Sequence, residues 1–145
     1  MTVRCLEDVV REFGVAARGK LSSPVISGAP EDQLRAPLEA LMRGLAEVGG
    51  LPPGKVELVG EATVAELSSR PDYAVTVWGA LAGFIEIKTP GKGADPRRFS
   101  DPHDKAQWKK LQSLPNLLYT DGNAFSLWRD GELSRSPSCS ISGRN

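Results

Sequence analysis

The chain has very few of the residues on which several classes of function depend. Of its 145 residues only two are cysteine and one is histidine. Cys5 and Cys139 lie near opposite ends and form neither a Cys-x-x-Cys pair nor a Cys/His cluster, which argues against a structural zinc site and a disulfide framework. Because there is no apolar run of about eighteen residues and no signal-peptide pattern, the sequence predicts a cytoplasmic protein.

A strong charge of one sign is missing as well. Lys and Arg together number 18, as do Asp and Glu, so the formal net charge is 0, which is not typical of an autonomous DNA-binding protein. The distribution is uneven, because residues 88–110 carry seven basic residues against three acids. The stretch fits either a solvated face or a phosphate-tracking surface. Its basic residues are Lys88, Lys92, Arg97, Arg98, Lys105, Lys109 and Lys110.

The hydrophobic pattern indicates one α/β domain over residues 1–133, followed by a serine-rich linker or tail at 134–145. We expect a mixed β-sheet flanked by helices, in the order α-α-β-β-β-α-β-β. The predicted helices are 2–14, one that ends near Val48 before Gly49-Gly50, and one from Asp101-Pro102 to about Ser113. The predicted strands are 55–60, 72–78, 83–88, 117–120 and 124–129.

Two carboxylates are expected to meet on neighbouring strands. A hairpin centred on Gly79 sets Asp72 opposite Glu86, and Lys88 shares the face of Glu86 because strand residues alternate. Like charges placed opposite each other are destabilising unless a positive charge lies between them. A divalent metal ion would supply that charge. The alternative is a structural Glu86–Lys88 pair on a half-exposed strand.

The motif formed by Pro71-Asp72 and Glu86-Ile87-Lys88 resembles that of the PD-(D/E)xK nuclease superfamily. The runs 83–96 and 103–133 are similar to the N-terminal nuclease domain of single-polypeptide restriction–modification enzymes, and the resemblance covers roughly residues 30–133. It implies a restriction-endonuclease-like fold and a Mg²⁺-dependent endodeoxyribonuclease of a defence system, a hydrolase of DNA. Methyltransferase and target-recognition domains of a larger polypeptide are the partners that it implies.

The resemblance also implies roles for individual residues. Asp72 and Glu86, joined by the carbonyl of Ile87, would bind Mg²⁺ or Mn²⁺, which prefer oxygen ligands. Lys88 would orient the attacking water or stabilise charge on the phosphate.

Two further residues enter through the same resemblance. Glu39 corresponds to an additional acid on the first core helix that reaches the metal, and Gln107 to a glutamine that orients the lysine or the water. Each also fits a solvated helix surface. The form of this motif that has a tyrosine four residues after the glutamine does not occur here, because position 111 is leucine.

The predicted DNA contacts come from the basic stretch, and they are Lys92, Arg97, Arg98, Lys105 and Lys109. His103 is either a phosphate contact at the start of a helix or a solvated residue. Gly91-Lys92-Gly93 lacks the other residues of a Walker A loop. Two other functions stay open: a catalytically degenerate DNA-binding or interaction module of the same fold, and a repair or recombination nuclease.

Overall fold

The structure, a computed structural model, describes residues 4–23, 25, 28–61 and 69–134. The predicted start of the first helix at residue 2 and the tail from residue 135 onwards lie outside these residues. Within them the chain forms three α-helices and six strands, which are α1 (Leu6–Leu21), α2 (Arg35–Val48), β1 (Val56–Gly60), β2 (Tyr73–Val77), β3 (Ala80–Ile87), α3 (Pro102–Leu111), β4 (Leu117–Thr120), β5 (Phe125–Arg129) and β6 (Glu132–Leu133).

The six strands form one sheet in the order β1-β2-β3-β4-β5-β6. All neighbouring strands are antiparallel except β3 and β4, which are parallel. A parallel pair needs a long crossover connection, and α3 lies within this one. The predicted mixed α/β sheet and the predicted order of its elements are therefore confirmed, with one additional strand at the end.

Each face of the sheet has its own apolar core. Ile85 and Ile87 of β3 belong to the core that includes buried residues of α1 and α2, and Phe84 belongs to the core that includes Leu111 of α3. This division follows from the alternation of side chains along a strand. Polar residues of β3 that share the face of Phe84 consequently point toward α3.

The first helix does not end where the sequence predicts. It runs to Leu21 instead of residue 14, and its N-cap is Cys5. A glycine inside a helix costs only about 1 kcal/mol relative to alanine. The buried contacts of Phe13 and Ala17 against α2 and the sheet outweigh the helix-breaking tendency of Gly14.

The strand β6 is also absent from the sequence prediction. Asp130 and Gly131 form a turn, with φ of 50° and 81°. Positive φ at both positions matches the twist of a two-residue hairpin, so the chain folds back and pairs with β5. A strand of two residues is too short to give a recognisable hydrophobic pattern.

Candidate active site

The hairpin of β2 and β3 brings Asp72 beside Glu86. Its turn is formed by Trp78 and Gly79, which have φ of 53° and 78°, as a two-residue hairpin turn requires. A β-bulge next to Val75 then shifts the register by one residue. When this shifted register is continued one pair beyond Tyr73 and Ile85, Asp72 lies opposite Glu86. The expected pairing is therefore reached through a two-residue turn and a bulge, instead of a turn centred on Gly79.

Glu86 and Lys88 lie side by side at the end of β3, on the face that carries Phe84. Their relative exposures are only 5% and 7%. The Lys88 Nζ is 3.5 Å from Glu86 Oε1, and the Lys88 backbone N–H donates to the carbonyl of Thr120 at 2.7 Å. An acid and an ammonium group are thus buried together where the strand ends.

Helix α3 supplies a third side of the site. It begins after Asp101, whose carboxylate accepts hydrogen bonds from the backbone N–H groups of the first turn. Two turns along, the amide of Gln107 donates through Nε2 to Glu86 Oε1 at 2.9 Å and accepts from Lys88 Nζ at 2.6 Å. Gln107 therefore fixes the acid and the ammonium group relative to each other.

Asp104 is a member of this cluster that the sequence analysis missed. Its carboxylate, 4% exposed, accepts from Lys88 Nζ at 2.9 Å and from Lys92 Nζ. Burial opposes its ionisation, but the hydrogen bonds from Lys92 and Lys88 outweigh that effect and lower its pKa. A signal existed, because Asp104 shares the helix face of Trp108 and Leu111, and an acid on a buried face needs a cation.

Asp72 approaches the cluster from the other side. Its Oδ2 accepts the backbone N–H of Ile87 at 2.7 Å, and its own N–H donates to Glu86 Oε2 at 3.3 Å. Its Oδ1 accepts from the guanidinium of Arg35 at 2.9 Å. Arg35, which also lies over the ring of Tyr73, is a second residue that sequence reasoning missed. No spacing could reveal it, since it lies 37 positions from Asp72.

The proximity of the two carboxylates perturbs the ionisation of Glu86. Burial first, and the charge of Asp72 second, raise the pKa of Glu86 to about 7, against the lowering effects of Lys88 and Gln107. Burial and the charge of Glu86 also raise the pKa of Tyr119, its partner on β4. The Tyr119 hydroxyl is buried and has no hydrogen-bond partner within the described residues. Negative charge at Glu86 is therefore unfavourable even with the Lys88 ammonium group 3.5 Å away.

These side chains line a polar cleft of about 360 Å³. The lining contains six acids against two lysines, so the cleft is strongly negative by itself. A phosphate group could enter only if additional positive charge were present. The lining residues are Glu31, Asp32, Asp72, Glu86, Ile87, Lys88, Thr89, Lys92, Asp101, His103, Asp104 and Gln107.

Most of the predicted catalytic and metal-binding residues meet in this cleft, together with one predicted DNA contact. They are Asp72, Glu86, Ile87, Lys88, Gln107 and Lys92. Glu39 does not line the cleft, because its carboxylate lies beside the hydroxyl of Tyr73 on α2's side of the sheet. Its role as a metal ligand stays a prediction.

The other predicted DNA contacts lie outside the cleft. Arg97 and Arg98 form ion pairs with Asp95, and the guanidinium of Arg97 lies 5.0 Å from the ring centroid of Trp128. Lys105 and Lys109 are exposed on α3, one helical turn apart. All four cations are exposed and thus accessible to a ligand, although none of them lines the cleft.

A larger groove of about 700 Å³ lies near α1, α2 and strands β3 to β5. Among the described residues its lining is almost entirely apolar, with Arg129 as the one charged residue. Because none of these lining residues is an acid or a nucleophile, we assign the chemistry to the polar cleft.

Comparison of the chain with protein-family models, with curated proteins and with solved structures gave no match. Among the described residues no group of three or more His, Cys, Asp or Glu side chains is arranged to hold a metal ion. Asp72 and Glu86 are two acids that lie close together in the cleft. None of the helices in the same residues combines the length and the apolar character needed to cross a membrane.

Proposed function

We propose that this chain is a Mg²⁺-dependent DNA endonuclease domain of the PD-(D/E)xK type, with a restriction-endonuclease-like fold. The observation that carries the proposal is the meeting of Asp72, Glu86, Lys88 and Gln107 in one cleft. The four residues come from a hairpin and from α3, which are separate elements of the chain. Two acids, a buried lysine and a glutamine that joins them support metal-assisted hydrolysis of a phosphodiester, the reaction that the sequence resemblance implies.

The donor set of the cleft is compatible with a hard divalent cation. Mg²⁺ is typically bound by one or two carboxylates, with water and substrate phosphate completing its shell. Asp72 and Glu86 would supply the carboxylates and Ile87 its carbonyl oxygen. Each carboxylate oxygen has room for about two hydrogen bonds or ligands, so the bonds that Asp72 accepts leave acceptor positions for a metal. When bound, Mg²⁺ or Mn²⁺ supplies Lewis-acid activation of the phosphate and of the attacking water.

The protein's own residues would perform the remaining tasks. Lys88 donates hydrogen bonds where negative charge develops on the phosphate, or orients the water. Gln107 holds the Lys88 ammonium at 2.6 Å and Glu86 at 2.9 Å, so the two groups keep their relative geometry as the substrate enters. Lys92 and the exposed cations of the α3 side, including Lys105 and Lys109, contact neighbouring phosphates.

The biological setting rests on the sequence resemblance. We propose a restriction–modification type of defence enzyme, in which methyltransferase and target-recognition domains act with this nuclease domain. A repair or recombination nuclease would use the same cleft, and substrate preference distinguishes the two. Cleavage of ordinary duplex DNA near a specific sequence supports the defence enzyme. Cleavage only of branched or damaged DNA supports the repair or recombination nuclease.

The direct test is nicking of supercoiled plasmid by the purified chain with Mg²⁺ or Mn²⁺. We expect metal-dependent cleavage that is lost in Asp72→Asn, because this change removes one carboxylate ligand and preserves the shape of the side chain. Ca²⁺ should support DNA binding without cleavage. The matched control is Glu57→Gln, which makes the same carboxylate-to-amide change at an exposed residue of β1. Undiminished metal-dependent cleavage by Asp72→Asn would assign the chemistry to another site.

A further inference from the structure

Asp104 makes contacts that the proposed chemistry does not by itself require. Its two carboxylate oxygens are bound by two different lysines, Oδ1 by Lys88 at 2.9 Å and Oδ2 by Lys92. Both ammonium groups also lie over the ring of the buried residue Phe99, at 5.8 and 5.9 Å from its centroid. One acid and one ring therefore fix the positions of two cations.

The two lysines differ in their access to a ligand. The side chain of Lys88 is 8% exposed, whereas that of Lys92 is 36% exposed. Lys88 has two further acceptors, Gln107 and Glu86, while Asp104 is the acid with which Lys92 pairs. Asp104 thus holds one cation in the floor of the cleft and a second one at its mouth.

This arrangement is costly as a device for stability alone. Desolvating charges usually cancels most of their attraction, and apolar residues of similar volume serve a buried position equally well. Lys88 and Lys92 are the two lysines among the described residues that line a cleft with six acids. Their ammonium groups are therefore the contacts within the lining that can attract a phosphate.

We propose that Asp104 is a positioning residue that sets both lysines of the nuclease site. Lys88 then addresses the phosphate that is cleaved, and Lys92 addresses an adjacent phosphate of the same strand. This inference rests on the proposed nuclease function. It assigns to Lys92 a role in substrate affinity and to Asp104 a role in affinity and turnover together.

The test is a pair of double-mutant cycles with cleavage kinetics as the readout. Lys92→Ala should raise KM about tenfold with little change in kcat, and Asp104→Asn should change both parameters by about tenfold. In the Lys92→Ala background, Asp104→Asn should cause no further change in KM. In the Lys88→Ala background, it should cause no further change in kcat. Independent effects that multiply in both cycles would overturn the proposal, because a merely structural role acts regardless of the lysines.

A measurement without substrate separates this proposal from the proposed function. Ammonium groups held by several acceptors exchange protons with water slowly, so ¹H–¹⁵N NMR should detect the Lys88 ammonium in the free protein. The signal should be lost in Asp104→Asn and in Lys88→Ala and kept in Lys92→Ala. A wild-type protein that shows the signal but cuts no DNA would refute the nuclease function alone. An unchanged signal in Asp104→Asn would refute the positioning role.

Asp104→Glu is the second variant, in case the asparagine protein does not fold. It keeps the negative charge and moves it by one methylene group, so both lysines are displaced without loss of their counter-ion. We expect the same non-additivity with Lys92→Ala in KM and with Lys88→Ala in kcat. Effects of Asp104→Glu that persist in full in both lysine variants would overturn the proposal.

Discussion

Replacing Glu86 by glutamine should stabilise the metal-free protein, and the gain should depend on pH. Burial and the charge of Asp72 raise the pKa of Glu86 from 4.5 to about 7 in the folded state. The folded protein therefore binds more protons than the unfolded chain between these two values. Its free energy of unfolding falls as pH rises through this window and levels off above pH 7, as far as Glu86 is concerned.

The magnitude follows from the separation of the two pKa values. A gap between 4.5 and about 7 corresponds to about 3 kcal/mol of lost stability above pH 7. Glutamine never ionises and keeps an oxygen that can accept from Gln107, so Glu86→Gln should recover up to this amount. Below pH 4.5 the wild type and the variant should differ little, because Glu86 is then protonated in both the folded and the unfolded state.

The assay is urea unfolding of both proteins from pH 4 to pH 9 in the presence of a chelator. Glu57→Gln, which changes an exposed carboxylate of β1, is the matched control. The stability difference between wild type and Glu86→Gln should grow between pH 4.5 and 7. A difference that does not vary with pH would show that Glu86 is well solvated or far from Asp72, and would refute the described geometry.

Three other results are expected. Adding millimolar Mg²⁺ should raise the melting temperature of the wild type more at pH 8 than at pH 5, and it should not raise that of Glu86→Gln, because a protonated carboxyl or an amide binds the metal poorly. Equal shifts of the melting temperature in the two proteins would argue against this metal site. Lys88→Ala should slow single-turnover cleavage on the order of 10²- to 10³-fold, the usual cost of losing one such electrostatic contact, while DNA binding in Ca²⁺ is kept. The control is Lys20→Ala, which removes an exposed lysine. Cleavage by Lys88→Ala as fast as by this control would contradict the role of Lys88. Lys109→Glu should weaken DNA binding and reduce its salt dependence, measured by fluorescence anisotropy, whereas Lys20→Glu on α1 should not; equal losses would place the DNA elsewhere.

The elements of the fold were predictable where local chemistry determines them. Asp101 and the proline after it start α3 at the expected residue, because the aspartate accepts the free N–H groups of the first turn. Gly49 ends α2 at the expected position. The end of α1 was not predictable from local signals, since contacts with α2 and the sheet decide it. Tertiary packing often overrides a weak local preference.

The candidate site shows the same division between local and distant causes. Asp72, Glu86 and Lys88 follow from the period of two along strands and from the hairpin, both of which are readable in a sequence. Arg35 and Asp104 join them only because α2 and α3 pack against opposite faces of the same sheet. Nothing in the spacing of Arg35 and Asp72 encodes their ion pair. For Asp104 the clue was an acid on a buried helix face.

The energetic cost of the cleft bears on whether the domain cuts DNA or only binds it. Lys88, Glu86 and Asp104 are all less than a tenth exposed, and burying ionised groups is unfavourable unless each is well paired. A module that only binds DNA gains nothing from such burial, because exposed cations such as Lys105 and Lys109 attract phosphates without it. The six acids of the cleft would even repel the DNA backbone. In the proposed nuclease Asp72 and Glu86 would hold the metal, and the buried Lys88 would meet the charge that develops at the phosphate. The catalytic interpretation therefore accounts for features that simple binding leaves without a purpose.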